Sequence, residues 1–297
     1  MKKRNFIAVA SLALVFGLLG CDEDSNSANS VNGEQNGSES SNDKGGILNG
    51  NTDRSSMSIC NGEKFDSVTH FCAMRNGVVE RIYKKVFIKA EGYSETWMAE
   101  NLNFETPEGS FCYDDDESNC AIYGRLYTWA AAVGKSEEEC PYDQNCSFDS
   151  LFVWQVCNPS NPAICGIASD SDFDIQGACP DGWHLPTYFE WEKLIKAVGG
   201  EEIAGQKLKS ASGWNESGNG SDAVGFSALP GGYQYVGEPS EAIGHEAAFW
   251  TTSQYVSPTG RLHSAYRISF VHNSGLTFPR EDTDKLRANS VRCVQNK

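Results

Sequence analysis

The sequence predicts an α+β fold, stapled by disulfides, with two main helices against short antiparallel sheets. Three observations predict it. A capped amphipathic helix starts at Thr187, and a second helical pattern covers residues 123–133. Strand-like segments gather late, at 247–255, 264–270 and 290–294, and helices placed before strands favour α+β over alternating α/β. The chain also carries 11 cysteines, a usage suited to an oxidising compartment.

The N-terminus agrees with export. Lys2-Lys3-Arg4 is a positive n-region, and residues 6–17 form an apolar stretch too short to span a bilayer comfortably. Leu18-Leu19-Gly20-Cys21 resembles the lipobox of bacterial lipoproteins. Residues 1–20 are therefore expected to be a lipoprotein signal peptide, with Cys21 lipidated as the first mature residue. Residues 21–58 are acidic and rich in Ser, Asn and Gly. They hold too little apolar surface to offset ordering entropy and are expected to be a disordered tether.

With Cys21 set aside, ten cysteines remain, and sequence alone does not fix their connectivity. Neighbour pairing gives Cys60–Cys72, Cys112–Cys120, Cys140–Cys146 and Cys157–Cys165, leaving Cys179–Cys293 to close a long loop. Without a C-x-x-C pair and with scattered histidines, zinc-thiolate chemistry is the weaker reading.

Residues 59–80 read as a small disulfide hairpin module, with Asn61-Gly62 and Asp66-Ser67 as turn formers. The main domain is expected over 81–297. It opens with a hairpin, 83–88 and 95–102, around Ala90-Glu-Gly-Tyr93. Cys112-Tyr-Asp-Asp-Asp-Glu-Ser-Asn-Cys120 is an acidic stapled loop. Asp114, Asp115, Asp116 and Glu117 offer hard oxygen ligands for Ca²⁺, against the plainer reading of a solvated turn without the spacing of a calcium hand. Leu126, Trp129, Ala130 and Val133 then share one face of the expected helix.

Residues 134–178 read as a disulfide-held insertion, with a strand near 148–156. Thr187 and Glu190 form a capping box, Pro186 sharpens the start, and Trp191, Leu194, Ile195 and Val198 make one apolar face. Gly199-Gly200 ends the helix. A second short helix is expected over 206–211, a loop over 213–222, and a strand broken by a turn over 225–235.

Formal charge is −16 with a pI near 4.7. Such a surface repels nucleic acid and anionic headgroups, so nucleic acid is excluded as a partner and contact with a membrane is expected through the lipid anchor only. No G-x-S-x-G, H-E-x-x-H or phosphate-cradling loop is present. His184 sits beside a helix start, where satisfying the turn is its ordinary use. His245, His263 and His272 fall in separate segments with no ligand spacing. Trp214, Tyr233 and Tyr235 lie in loop or strand-end contexts where aromatic rings stack on sugars, although core packing claims most aromatics.

Several segments together resemble one family. Trp97-Met-Ala-Glu-Asn-Leu-Asn103, Tyr123-Gly-Arg-Leu-Tyr-Thr-Trp-Ala-Ala-Ala132, Cys179-Pro-Asp-Gly-Trp-His-Leu-Pro-Thr187, Gly225-Phe-Ser-Ala-Leu-Pro-Gly-Gly232 and Val291-Arg-Cys-Val294 are similar to the Fibrobacter succinogenes major paralogous domain family. The likeness covers roughly 82–297, and it implies architecture without an established reaction. The Leu185-Pro-Thr187 turn with Glu190-Trp191 is also similar to formylglycine-generating-enzyme-like domains, which implies a C-type lectin-like fold. His184 stands where that class tends to have Arg, and its copper-binding cysteine pair has no counterpart here. The resulting expectation is a lipid-anchored envelope or cell-surface binding module, non-enzymatic, for polysaccharide or another surface protein. The alternatives are an enzyme on the formylglycine-generating-enzyme-like scaffold and a structural envelope protein. No cofactor beyond Ca²⁺ is expected.

Overall fold

Asn61-Gly62 and Asn76-Gly77 set two reversals early in the described residues. Both pairs lie at positive φ, 49° and 84°, then 51° and 76°, as a type I′ hairpin requires. The computed structural model describes residues 57–140, 155–158, 161–167, 174–255 and 263–297. In it the two turns join β1 (Met57–Cys60) to β2 (Glu63–Asp66), and β3 (His70–Arg75) to β4 (Val78–Ala90). The signal peptide, Cys21 and nearly all of the tether lie outside the described residues. Arg54–Lys297 clusters as one compact unit.

The elements then run β5 (Tyr93–Met98), β6 (Ser110–Phe111), a 3-10 turn (Tyr113–Asp115), α1 (Glu117–Tyr123), β7 (Leu126–Tyr127) and α2 (Trp129–Ala132). After β8 (Gln155–Asn158) and β9 (Asn161–Ile167) come β10 (Trp183–His184), α3 (Tyr188–Ala197) and α4 (Glu201–Leu208). The remainder is strand: β11 (Gly231–Tyr235), β12 (Ser240–Ile243), β13 (Glu246–Tyr255), β14 (Ser264–Val271), β15 (Thr277–Asp284), β16 (Arg287–Ser290) and β17 (Val294–Gln295).

Two sheets organise the unit. A five-stranded sheet runs β10-β17-β5-β4-β3, and a larger one runs β15-β14-β13-β11-β16-β7-β6 with β12 paired to β11. Because β3 is in antiparallel register with β4, part of the 59–80 segment belongs to the same sheet as the residues that follow.

Helix α3 starts where the sequence places it. The Thr187 hydroxyl accepts from Glu190 N–H, and the Glu190 carboxylate accepts from Thr187 N–H at 2.8 Å, a complete capping box. Its buried face carries Trp191, Leu194 and Ile195. Trp191 packs 4.8 Å from the Trp97 ring and 5.4 Å from Phe249, so the helix seals a core built from both sheets. A second apolar cluster surrounds Trp129, Trp183, Trp250 and the Cys179–Cys293 bridge.

At the junction of the sheets lies Arg292, 0 % exposed. Its guanidinium donates to Asn101 Oδ1 at 2.6 and 3.2 Å, to Met98 O at 3.2 Å, to Ser227 O at 3.3 Å and to Phe226 O, with its charge 4.5 Å from the Phe226 ring. Burial pulls its pKa down to about 9 against the opposing pull of Glu100 and Asp222, which leaves it charged at neutral pH.

Disulfides join Cys60–Cys72, Cys112–Cys120 and Cys179–Cys293. Cys140 is disulfide-bonded too, and Cys146 lies outside the described residues. Cys157 and Cys165 are backbone partners in the β8–β9 ladder, but their side chains are not described.

The α+β, C-type lectin-like expectation is corrected. The chain is mostly β, 40 % strand against 16 % helix, with several sheets and few short helices. The expected helix over 123–133 is the main cause. Tyr123 ends α1, Gly124 turns at φ 72°, Leu126 and Tyr127 pair with β16, and from 124 on only Trp129–Ala132 is helical. Every residue from 124 to 133 is buried, so an apolar run there carries no usable period. The edge strand β15 escaped notice because Thr277-Phe-Pro-Arg-Glu-Asp-Thr-Asp284 is polar and contains a proline.

Candidate functional site

The residues singled out from the sequence divide into those the fold buries and those it gathers at one surface. Trp214 is buried, 5 % exposed, and donates its indole N–H to Ser210 Oγ and Ala228 O, both at 3.1 Å. It belongs to the core. His184 is buried as well, with Nδ1 2.8 Å from Asn296 Oδ1 and Nε2 2.9 Å from Glu190 Oε1. Both ring nitrogens face oxygen acceptors, which suits an imidazolium. Burial alone would lower its pKa, but the hydrogen bond and charge of Glu190, then Asn296 and Asp174, outweigh it and raise the value.

Tyr233 and Tyr235 remain at the surface. They alternate along β11 onto one face, ring centroids 6.0 Å apart and nearly perpendicular. Gly232 makes the approach of β12 possible. Its φ is 66°, and a Cβ there would collide with Glu241 O. The Arg287 guanidinium lies 3.5 Å over the Tyr233 ring, and Tyr233 OH donates to Glu241 Oε2 at 2.8 Å. Burial and that carboxylate hydrogen bond raise the Tyr233 pKa. Behind the ring, Arg287 Nη2 donates to Glu246 Oε2 at 3.2 Å, and Arg267 donates to the same carboxylate and to Thr283 Oγ1. The aromatic pair therefore rests on a fixed charged row and cannot collapse inward without breaking it.

The acidic loop comes to the same place. The 3-10 turn packs on the β11–β12 hairpin, with Asp114 N–H donating to Ser240 Oγ at 2.9 Å. Asp114 and Asp115 are exposed at positive φ, both 54°. The other two acids have structural tasks: Asp116 caps α1 by accepting from Ser118 N–H, and Glu117 pairs with Arg125 at 3.0 Å. Cys112 and Cys120 beside them are tied in a disulfide and are not thiolate ligands.

A family model described as the Fibrobacter succinogenes major domain matches residues 92–295. The chain belongs to that family. No curated protein and no solved structure matches it, so membership in the major domain family identifies neither a ligand nor a fold precedent. Strands β3 and β4 precede the matched residues, yet they complete the sheet on which the family domain rests.

Sequence reasoning missed the charged partners of Tyr233. Arg287, Glu241, Glu246 and Arg267 come from four different strands, and only tertiary pairing assembles them. It also missed that His245 and His272 meet, with ring centroids 4.7 Å apart. A signal was there: one histidine directly precedes a strand and the other directly follows the next.

Proposed function

We propose that the protein is an exported, lipid-anchored envelope protein that acts as a non-enzymatic binding module for polysaccharide, through the Tyr233–Tyr235 hairpin. The observation that carries the reading is an aromatic pair, exposed Tyr235 beside half-buried Tyr233 held by Arg287 and Glu241, next to the acidic turn at Asp114–Asp115. Aromatic faces stack on the C–H faces of sugar rings, while flanking carboxylate, guanidinium and phenol groups serve the hydroxyls. The lipobox-like Leu18-Leu19-Gly20-Cys21 supports attachment at Cys21, and the disulfides favour service in an oxidising compartment.

The test is retention of the detergent-solubilised full chain on immobilised plant polysaccharides and a glycan array. Tyr235→Ala should weaken retention about fivefold, in line with about 1 kcal/mol for a stacked aromatic contact. Retention unchanged in a Tyr233→Ala/Tyr235→Ala double variant of parental melting temperature defeats the reading. So does failure of the parent to bind any glycan.

A further inference from the structure

The end of the β13–β14 ladder carries a second cluster, separate from the Tyr233 hairpin. Glu246 pairs with Val271, so His245 and His272 extend the ladder by one rung, and His272 N–H donates to His245 O at 2.8 Å. The backbone there is held firmly. Lys209 Nζ donates to Val271 O and Ser274 O, both at 3.0 Å, and lies 3.4 Å from His272 O. The 213–220 loop closes over this end, with Asn215 N–H donating to Gly244 O at 2.9 Å. Gly218 sits so close that a Cβ would collide with His272 O. Glu216 and Ser217, at φ 51° and 63°, bend the loop at the cluster.

The side chains form a chain of contacts. Asn215 Nδ2 is 3.0 Å from His245 Nε2, His245 Nδ1 is 3.4 Å from His272 Nδ1, and His272 Nε2 is 3.0 Å from Glu216 Oε2. With neutral rings, one assignment satisfies all three. Asn215 donates to His245 Nε2, His245 Nδ1–H points at His272 Nδ1, and His272 Nε2–H donates to Glu216. The middle contact is the weak one, since 3.4 Å is long for a hydrogen bond.

We propose that the two Nδ1 atoms are the ligands of a late first-row divalent cation, such as Zn²⁺ or Cu²⁺, with Glu216 and Asn215 holding the outer nitrogens. At metal–nitrogen distances of about 2.0–2.1 Å, two nitrogens 3.4 Å apart subtend about 110°, the tetrahedral value. His272 Nε2–H on a carboxylate is the outer-shell arrangement that orients metal-binding imidazoles. Ligation by His245 needs its proton on Nε2, and a turn of the Asn215 amide then presents Oδ1 as acceptor, so no net proton leaves. Glu216 holds His272 from the solvent side, its side chain 69 % exposed, and the ligand atoms of Glu216, His245 and His272 lie within 4.8 Å of one another. Imidazole nitrogen with open positions for water suits Cu²⁺ and Zn²⁺ over Ca²⁺ and Mg²⁺.

The experiment is calorimetric titration of the purified full chain with ZnCl₂ and CuCl₂, with electron paramagnetic resonance of the Cu²⁺ form. One ion per chain is expected, with a spectrum showing two nitrogen donors. His245→Ala and His272→Ala should each weaken binding by more than about tenfold and remove one nitrogen, while His70→Ala and His263→Ala leave both readouts at parental values. Glu216→Ala should weaken binding about tenfold. Should an alanine variant lose the parental melting profile, His272→Gln supplies the same test with a hydrogen-bonding side chain in place. Absence of stoichiometric binding, or binding unchanged in the His245/His272 variants, overturns the proposal.

Discussion

Replacing Arg292 by Met should remove a large part of the stability of the described unit. The methionine fills similar volume and keeps the contact with Phe226, so the loss isolates the guanidinium. Four acceptors would be abandoned: Asn101 Oδ1, Met98 O, Phe226 O and Ser227 O. At about 1–1.5 kcal/mol for each buried acceptor left without its donor, the total is about 4–6 kcal/mol. Exchanging an entire buried ionic network for apolar groups is often neutral, but deleting one member strands the others. A whole domain is stable by only about 5–15 kcal/mol, so Arg292→Met should melt about 10–20 °C below the parent. Arg292→Lys keeps the charge but has too few donors in the wrong geometry to serve all four, and it should fall in between. The assay is thermal and urea unfolding followed by near-ultraviolet circular dichroism. A methionine variant melting within about 3 °C of the parent would show that these contacts add nothing net.

The His184–Glu190 pair should give a pH signature. Burial opposes charge on Glu190, yet His184 and Thr187 lower its pKa, while that of His184 is raised. The histidine's contribution is full below its ordinary pKa of about 6.5 and fades as pH rises through the raised value; the glutamate's is full above about 4.5 and fades as pH falls through the lowered value. Stability should therefore peak between about pH 4.5 and 6.5, and His184→Gln should flatten the decline above it in melting profiles. Replacing Cys179 and Cys293 with Ser opens a loop with a sequence separation of 114, a loss of about 4–5 kcal/mol by chain entropy. Opening Cys112–Cys120, with a separation of 8, should cost about 2–3 kcal/mol, and equal shifts in urea midpoint would contradict this ordering. Gly177→Ala should destabilise by about 1–3 kcal/mol, because φ is 56° and the new Cβ would collide with Ala132 O. An unchanged melting temperature would refute that.

What sequence exposed and what it hid divide along the range of the interactions. The α3 capping box, the Asn61-Gly62 turn and the Cys60–Cys72 and Cys112–Cys120 pairs are local, and each was legible residue by residue. The helix expected over 123–133 was misread because complete burial erases the period on which such a reading depends. Trp214 resembled a loop aromatic only because its partners, Ser210 and Ala228, lie across a turn. The Tyr233 surface and the histidine pair depend on register between strands far apart in sequence. A histidine on each side of a β-hairpin is visible in the string, but its meaning appears only when the ladder sets the two opposite each other.

The position of β17 has a consequence for the order of assembly. Val294–Gln295 lies between β10 and β5, and the neighbouring Arg292 reaches back 191 residues to Asn101. The first sheet therefore cannot close around β5 until the far end of the domain has arrived, so a partly synthesised chain would hold β4–β5 as a hairpin without its β17 neighbour. Such late closure slows folding.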